Sequence, residues 1–140
     1  MTRPGVNEFN RRVIEEFRAG AGVIVGRFEG MPLLLLTTRG ARSGRGHTTP
    51  LAFLEDGGRL VVFGSKGGAP GNPDWYYNLL AQPTATVELG DESFAVDATV
   101  VTGEERERLF AAQAALRPQF AEYQARITRV IPVIVLERKR

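Results

Sequence analysis

The stretch TTPLAFLEDGGRLVVFGS, residues 48–65, constrains the fold more than any other part of the chain. Its two apolar runs are joined by Asp56-Gly57-Gly58, and glycines there supply the positive φ angles a tight hairpin requires. The pattern recurs where TATVEL (84–89) and SFAVDATVV (93–101) flank Gly90-Asp91. With a buried strand over residues 32–38 and a last strand in IPVIVLE (131–137), six strands are expected. Hairpins rather than helical crossovers join most of them, which argues for an antiparallel sheet that curls on itself in an α+β fold.

Helices fill the intervals. Val6, Phe9, Val13 and Phe17 share one face of an amphipathic helix over about residues 6–19, which Gly20 and Gly22 end. Glu8/Arg12, Arg11/Glu15 and Arg12/Glu16 are spaced to pair on its remaining surface. Packing against the body of its own domain is the favoured use of such a stripe; contact with a membrane is the other. Asn72 and Pro73 read as the N-cap and first residue of a helix that reaches about Ala81. Thr102 and Glu105 have capping-box spacing before a helix that ends near Arg117. A short helix from Pro118 carries Phe120, Tyr123 and Ile127.

Composition removes several classes of function. The 140 residues suit one domain, residues 1–140, and the chain has no cysteine and one histidine, so no metal site is expected. No apolar run has the length of a bilayer span, and the first residues lack the core of a signal peptide. A cytoplasmic protein is expected, peripheral to the inner membrane face only if the first helix docks there.

The net charge is +2, yet residues 30–54 hold Arg39, Arg42, Arg45 and His47 and no acid. That is the signature of a local anion site rather than of a nucleic-acid footprint. Gly40, Gly44 and Gly46 free the backbone around the arginines, and Ser43, Thr48 and Thr49 add hydroxyl donors. The spacing is not a Walker loop, nor is it GxGxxG, since Thr49 stands where the third glycine belongs. A solvated basic turn is the plain alternative. His47, among positive charges, suits donation to an anion better than general-base work.

Two further stretches are chemically suggestive. In GSKGGAPGNPDWYYNL, residues 64–79, Lys66 adds a cation after a strand, and Trp75, Tyr76 and Tyr77 follow consecutively. They form either a flat wall for a large anionic cofactor or a helix with Trp75 in the core and the tyrosines at its edge. In RPQFAEYQARITRVIP, residues 117–132, the Tyr123 phenol either donates a proton or caps the core edge.

LLTTRGARSGRGHTTPL, SKGGAPGNPDWYYNLLAQP and AEYQARITRVIPVIVLE together resemble the deazaflavin-dependent nitroreductase family, over about residues 6–137. These are actinobacterial split β-barrel oxidoreductases that use coenzyme F420, so the resemblance implies a small antiparallel split β-barrel, of the FMN-binding split-barrel type, with peripheral helices. It implies that Arg42 and Ser43, with Ala41 and Gly44, lie against the cofactor's phosphate and polyglutamate tail. His47, where relatives commonly have arginine, becomes a weaker contact there. Thr48, Thr49, Pro50 and Leu51 would line the deazaflavin cleft. Gly64, Ser65, Lys66 and Gly67 would adjoin the cofactor, and Asp74, Trp75, Tyr76, Asn78 and Phe120 would wall it.

The implied reaction is hydride transfer from reduced F420 to a small electron-poor acceptor: a quinone, a conjugated carbonyl or a nitro compound. Tyr123, Ser65 through a water, or bulk solvent is the candidate proton donor. Nitro-reducing relatives can carry tyrosines at the positions of Arg117, Phe120 and Tyr123, and one can occur at Ala52. Cofactor binding is therefore the firmer implication. The alternatives are a deazaflavin carrier without catalysis and an FMN-dependent oxidoreductase. Single-strand binding by the arginines with Trp75 and Tyr76 stacking is not expected. The assembly is expected to be a monomer or a homodimer.

Overall fold

The computed structural model describes residues 6–20 and 33–139. The side chains of Val6 and Phe9, together with Gly22 and Pro32, lie outside the described residues. In chain order the elements are α1 (Val6–Ala19), β1 (Leu33–Arg39), β2 (Gly46–Ala52), β3 (Leu54–Asp56), β4 (Arg59–Phe63), α2 (Asp74–Ala81), β5 (Thr84–Leu89), β6 (Glu92–Val101), α3 (Gly103–Leu116), α4 (Gln119–Arg126) and β7 (Val133–Arg138). A 3-10 turn, Lys66–Gly68, precedes α2.

Among the described residues seven strands form where six were expected, because the second breaks at Phe53. β2 pairs antiparallel with β1, from Leu33↔Ala52 to Arg39↔Gly46. β3 pairs instead with β4, from Leu54↔Val61 to Asp56↔Arg59. The strand order is β2-β1-β5-β6-β7-β4-β3, so the two ends of the order are consecutive pieces of one segment. The bend at Phe53 joins those ends and curls the sheet into a split barrel.

The pleat explains the apolar runs. Alternate residues of a strand face opposite sides, and here helices cover much of the outer side. Leu34 and Leu36 of β1, Leu60 and Val62 of β4, and Ile134 and Leu136 of β7 pack in one core with Trp75 and Leu79 of α2. Their neighbours Val61, Phe63, Val133 and Val135 pack with Leu109 of α3 and Phe120 of α4. Leu33 and Leu35 meet Val13 and Phe17 of α1. Burying Phe17 to 1% exposure contributes about 1.5–3 kcal/mol. Arg18 fixes the same helix by donating to both carboxylate oxygens of Glu88 on β5, at 2.9 and 2.7 Å. Val13 and Phe17 of the apolar stripe therefore pack on the helix's own sheet. On its outer surface the Arg11–Glu15 pair forms at 3.9 Å, and Arg11 also meets Glu8 at 3.7 Å.

Two capping expectations are corrected. α2 begins at Asp74, one residue later than expected, because Pro73 stays extended (φ −70, ψ 155). Asn72 is drawn elsewhere: its Oδ1 accepts from Arg129 Nη1 at 2.7 Å. Thr102 precedes α3 but its side chain makes no cap hydrogen bond. Gly103 enters the helix with φ +64 and turns the chain there, and Glu105 faces Arg59 at 3.9 Å.

Candidate functional site

The arginine-rich segment is the β1–β2 turn. The Gly40 N–H donates to the Arg45 carbonyl at 2.7 Å and the Gly44 N–H to the Gly40 carbonyl at 2.9 Å, with Gly44 left-handed at φ +72. Arg39 braces the turn by donating from Nη1 to the Gly44 carbonyl at 3.0 Å. Arg42 and Arg45 are exposed and meet no carboxylate among the described residues. A Cβ on Gly40 would lie 2.6 Å from Ser43 Oγ and 2.9 Å from His47 Nε2. Glycine is required there because the two polar groups converge over its bare α-carbon.

Buried Asn78 ties this turn to α2. Its Oδ1 accepts from the Ala41 N–H at 3.0 Å, and its Nδ2 donates to Thr38 Oγ1 at 3.0 Å. The loop after β4 leads into the start of the same helix. At 1.5 Å per residue, Asp74 and Asn78 are separated by about 6 Å along the axis. α2 thus holds both candidate loops at one end of the barrel.

In that second loop Ser65 lies in the right-handed region (φ −72, ψ −35) and Lys66 in the left-handed one at φ +48. A lysine in that region costs on the order of 1–2 kcal/mol, which surrounding contacts must offset. The turn closes through the Gly68 N–H on the Ser65 carbonyl at 2.9 Å and the Ala69 N–H on the Lys66 carbonyl at 3.1 Å. Ser65 is 9% exposed, yet its hydroxyl has no partner among the described residues. No described side-chain oxygen is both fully buried and unpartnered, so the Ser65 hydroxyl reaches solvent. Lys66 and Gly67 are exposed, and Gly64 is buried against Pro132, which a Cβ would approach to 2.7 Å.

Tyr123 of α4 lies against this loop: a Cβ on Gly68 would come within 3.2 Å of its ring. The phenol ring stands edge-on to Phe120 at 5.6 Å, and Phe120 edge-on to Phe63 at 5.7 Å. The other expected cofactor contacts differ in their surroundings. Trp75 is 5% exposed and Phe120 7%, both packed in the core clusters. Tyr76 borders a cavity of about 670 Å³ that also involves Val100, Thr102 and Arg106 beside α3 and Pro132 before β7. Cross-strand pairing puts His47 and Thr49 on the face of Thr38 and Leu36, and Thr48 and Pro50 on the face of Thr37 and Leu35. The side chains of residues 47–51 therefore alternate between two faces of the sheet. The Thr48 hydroxyl is paired with that of Thr37 at 2.8 Å, while Leu51 packs on the barrel core. Asp74 is exposed at the start of α2.

Sequence reasoning missed Arg129, Gln124 and Arg106. Arg129 lies between α4 and β7 and donates to Gly64, Ser65, Ala69 and Asn72 of the second loop. Gln124 Nε2 donates to the Arg129 carbonyl at 2.8 Å, and its Oε1 accepts from the Ile131 N–H at 2.9 Å and Arg106 Nη2 at 3.1 Å. Arg106, 8% exposed, also grips the Ile131 carbonyl at 2.8 Å and lies 4.5 Å from the centre of the Phe110 ring. No spacing in the sequence marks these residues, because their partners are mostly main-chain carbonyls of distant loops.

The exposed cations of two loops, the Gly40 cradle and the right-handed to left-handed step at Ser65–Lys66 fit a ligand with phosphate and carboxylate groups. Fold and site together define a split-barrel protein with two exposed cationic loops beside α2. Within that class the chain belongs to the F420H(2)-dependent quinone reductase family, whose model matches residues 9–138. It is 35% identical over 127 residues to an F420H(2)-dependent quinone reductase of Mycobacterium tuberculosis, covering 88% of this chain and 85% of that protein. A solved F420-H2 dependent reductase, FDR-A, superposes with a TM-score of 0.70 at 40% identity, over 83% of this chain and 100% of the other. A structure described as a domain-swapped dimer matches with a TM-score of 0.72 at 38% identity, over 94% and 96% of the two chains.

Proposed function

We propose that this chain is an F420H2-dependent reductase whose acceptor is a quinone. The observation that carries the proposal is the pair of cationic loops, one with Arg42 and Arg45 bonded to the middle of α2 through Asn78 and the other with Lys66 leading into its start, in a member of this family. Reduced deazaflavin supplies the hydride when bound. Arg42, Arg45 and Lys66 hold the tail phosphate and carboxylates, with Ser43 and His47 donating beside them. The split barrel and α2 orient the ring and exclude water. Tyr123 Oη carries the proton that the acceptor oxygen needs, and the Ser65 hydroxyl can order a water for the same step.

The test is a side-by-side titration of the protein with F420 and with FMN, followed by addition of menadione to the reduced complex. F420 binding and faster oxidation of reduced cofactor than without protein are expected. Tight FMN binding with none of F420 would overturn the proposal; the relatives are named for F420 and give FMN no support. F420 binding without acceleration by menadione would favour the carrier reading, which the packing of Phe120 as core and the single phenol of its helix make the natural second choice. We also take the protein to be a cytoplasmic homodimer, a reading supported by the domain-swapped dimer relative. No helix among the described residues is long and apolar enough to cross a membrane.

A further inference from the structure

Arg129 sits behind the Ser65–Lys66 turn and faces no carboxylate among the described residues. Its Nε–H and one Nη2–H converge on the Ala69 carbonyl at 3.1 and 2.8 Å. The other Nη2–H takes the Ser65 carbonyl at 2.9 Å, and the two Nη1–H groups take the Gly64 carbonyl at 3.0 Å and Asn72 Oδ1 at 2.7 Å. All five guanidinium donors are spent on one loop. Burial pushes this guanidinium below the ordinary arginine pKa, with the nearby Tyr77 opposing the shift. A cation held in that position by neutral carbonyls organises them rather than neutralising an acid.

The direction of those carbonyls has a chemical consequence. In a planar trans peptide the N–H points opposite to the C=O, and no described bond is cis. Holding the Gly64 carbonyl toward Arg129 aims the Ser65 N–H away from it. Holding the Ser65 carbonyl aims the Lys66 N–H away in the same manner. Neither amide has a hydrogen-bond partner among the described residues. Ser65 right-handed followed by Lys66 left-handed is the alternation that turns adjacent amides toward one anion.

We infer that Arg129 is a positioning residue: by gripping the Gly64 and Ser65 carbonyls from behind, it turns the Ser65 and Lys66 amides outward as an anion nest beside the Lys66 ammonium. Gln124 holds Arg129 in place through its carbonyl and ties it to Arg106. The nest is built for a phosphate group. That this phosphate belongs to F420 rests on the function proposed above.

The test separates the two claims. Amide resonances of Ser65 and Lys66 are followed by NMR while inorganic phosphate is titrated into the intact protein, with F420 titrated separately. In the wild type both amides should shift with phosphate. In Arg129→Lys, which keeps the charge but loses the fork, they should bind phosphate about tenfold more weakly or not at all. The amides of the β1–β2 turn should respond as before. With F420, Arg129→Lys should raise Kd about tenfold and leave kcat at saturating cofactor within about twofold, a split that general destabilisation would not produce. Should Arg129→Lys not fold, Gln124→Ala should give the same loss in weaker form. Wild-type amides indifferent to phosphate, or variant amides that respond as the wild type does, would overturn the inference. A wild type whose Ser65 and Lys66 amides bind phosphate while the protein ignores F420 would overturn the proposed function and leave the inference standing.

Discussion

Arg42 and Arg129 both lie in loops, yet they do opposite work. Arg42 is exposed and meets no carboxylate among the described residues, so its charge is available to a ligand; Arg129 has every donor committed to the chain. Arg42→Ala should therefore weaken F420 about tenfold or more, the scale of a charge-assisted hydrogen bond, while leaving the urea midpoint nearly unchanged. Equal losses in binding and stability would show that Arg42 supports the fold instead. Tyr123 lies on Gly68 at the second loop, with a ring edge in the aromatic cluster that Phe replaces without a gap. Tyr123→Phe should lower steady-state turnover about tenfold or more at unchanged F420 affinity, and full turnover would remove the phenol as proton donor. The first arginine was legible in the sequence because a run of bases without acids is visible in one dimension. The second was not, since its acceptors are carbonyls some sixty residues away, and every residue has a carbonyl.

Among the elements, α2 decides the most. It buries Trp75 and Leu79 in the barrel and uses Asn78 to pin the arginine turn. Asn78→Ala leaves the Ala41 N–H and the Thr38 hydroxyl without this partner and should cost about 1–3 kcal/mol. Hydrogen exchange at Ala41 should accelerate at the same time; unchanged exchange would mean that the turn holds itself. The β3–β4 hairpin gives a pH test. Hydrogen bonds from Arg108 and then Arg59 lower the Asp56 pKa from 3.8 to about 2, with Arg59 at 2.6 Å. The folded form thus favours the ionised carboxylate, a stabilisation present above about pH 4 and lost as pH falls toward 2. Acid unfolding followed by circular dichroism should therefore be shallower for Asp56→Asn across that window. Hairpins and helices were legible from glycine turns and apolar spacing. The caps at Asn72 and Thr102 were not, because Arg129 outcompetes the first and the left-handed Gly103 redirects the chain at the second.

For the molecule as a whole, the barrel closes because one segment changes partners at Phe53, pairing first with β1 and then with β4. The apolar runs are buried on both faces of the sheet, the inner by the barrel and the outer by helices. Leu36, 0% exposed on the inner face, should on truncation to alanine lose about 2–5 kcal/mol in urea unfolding, far more than a surface change. A loss under about 1 kcal/mol would contradict a close-packed interior. The sequence by itself determined the strands, the helices and a basic turn able to hold an anion, since turn chemistry, periodicity and local charge act over a few residues. Tertiary structure alone decided which of residues 47–51 face together, that Trp75 and Phe120 belong to the core, and that Arg129 shapes the second loop. Those outcomes depend on register, barrel closure and hydrogen bonds between distant segments, and exist only once the sheet has curled.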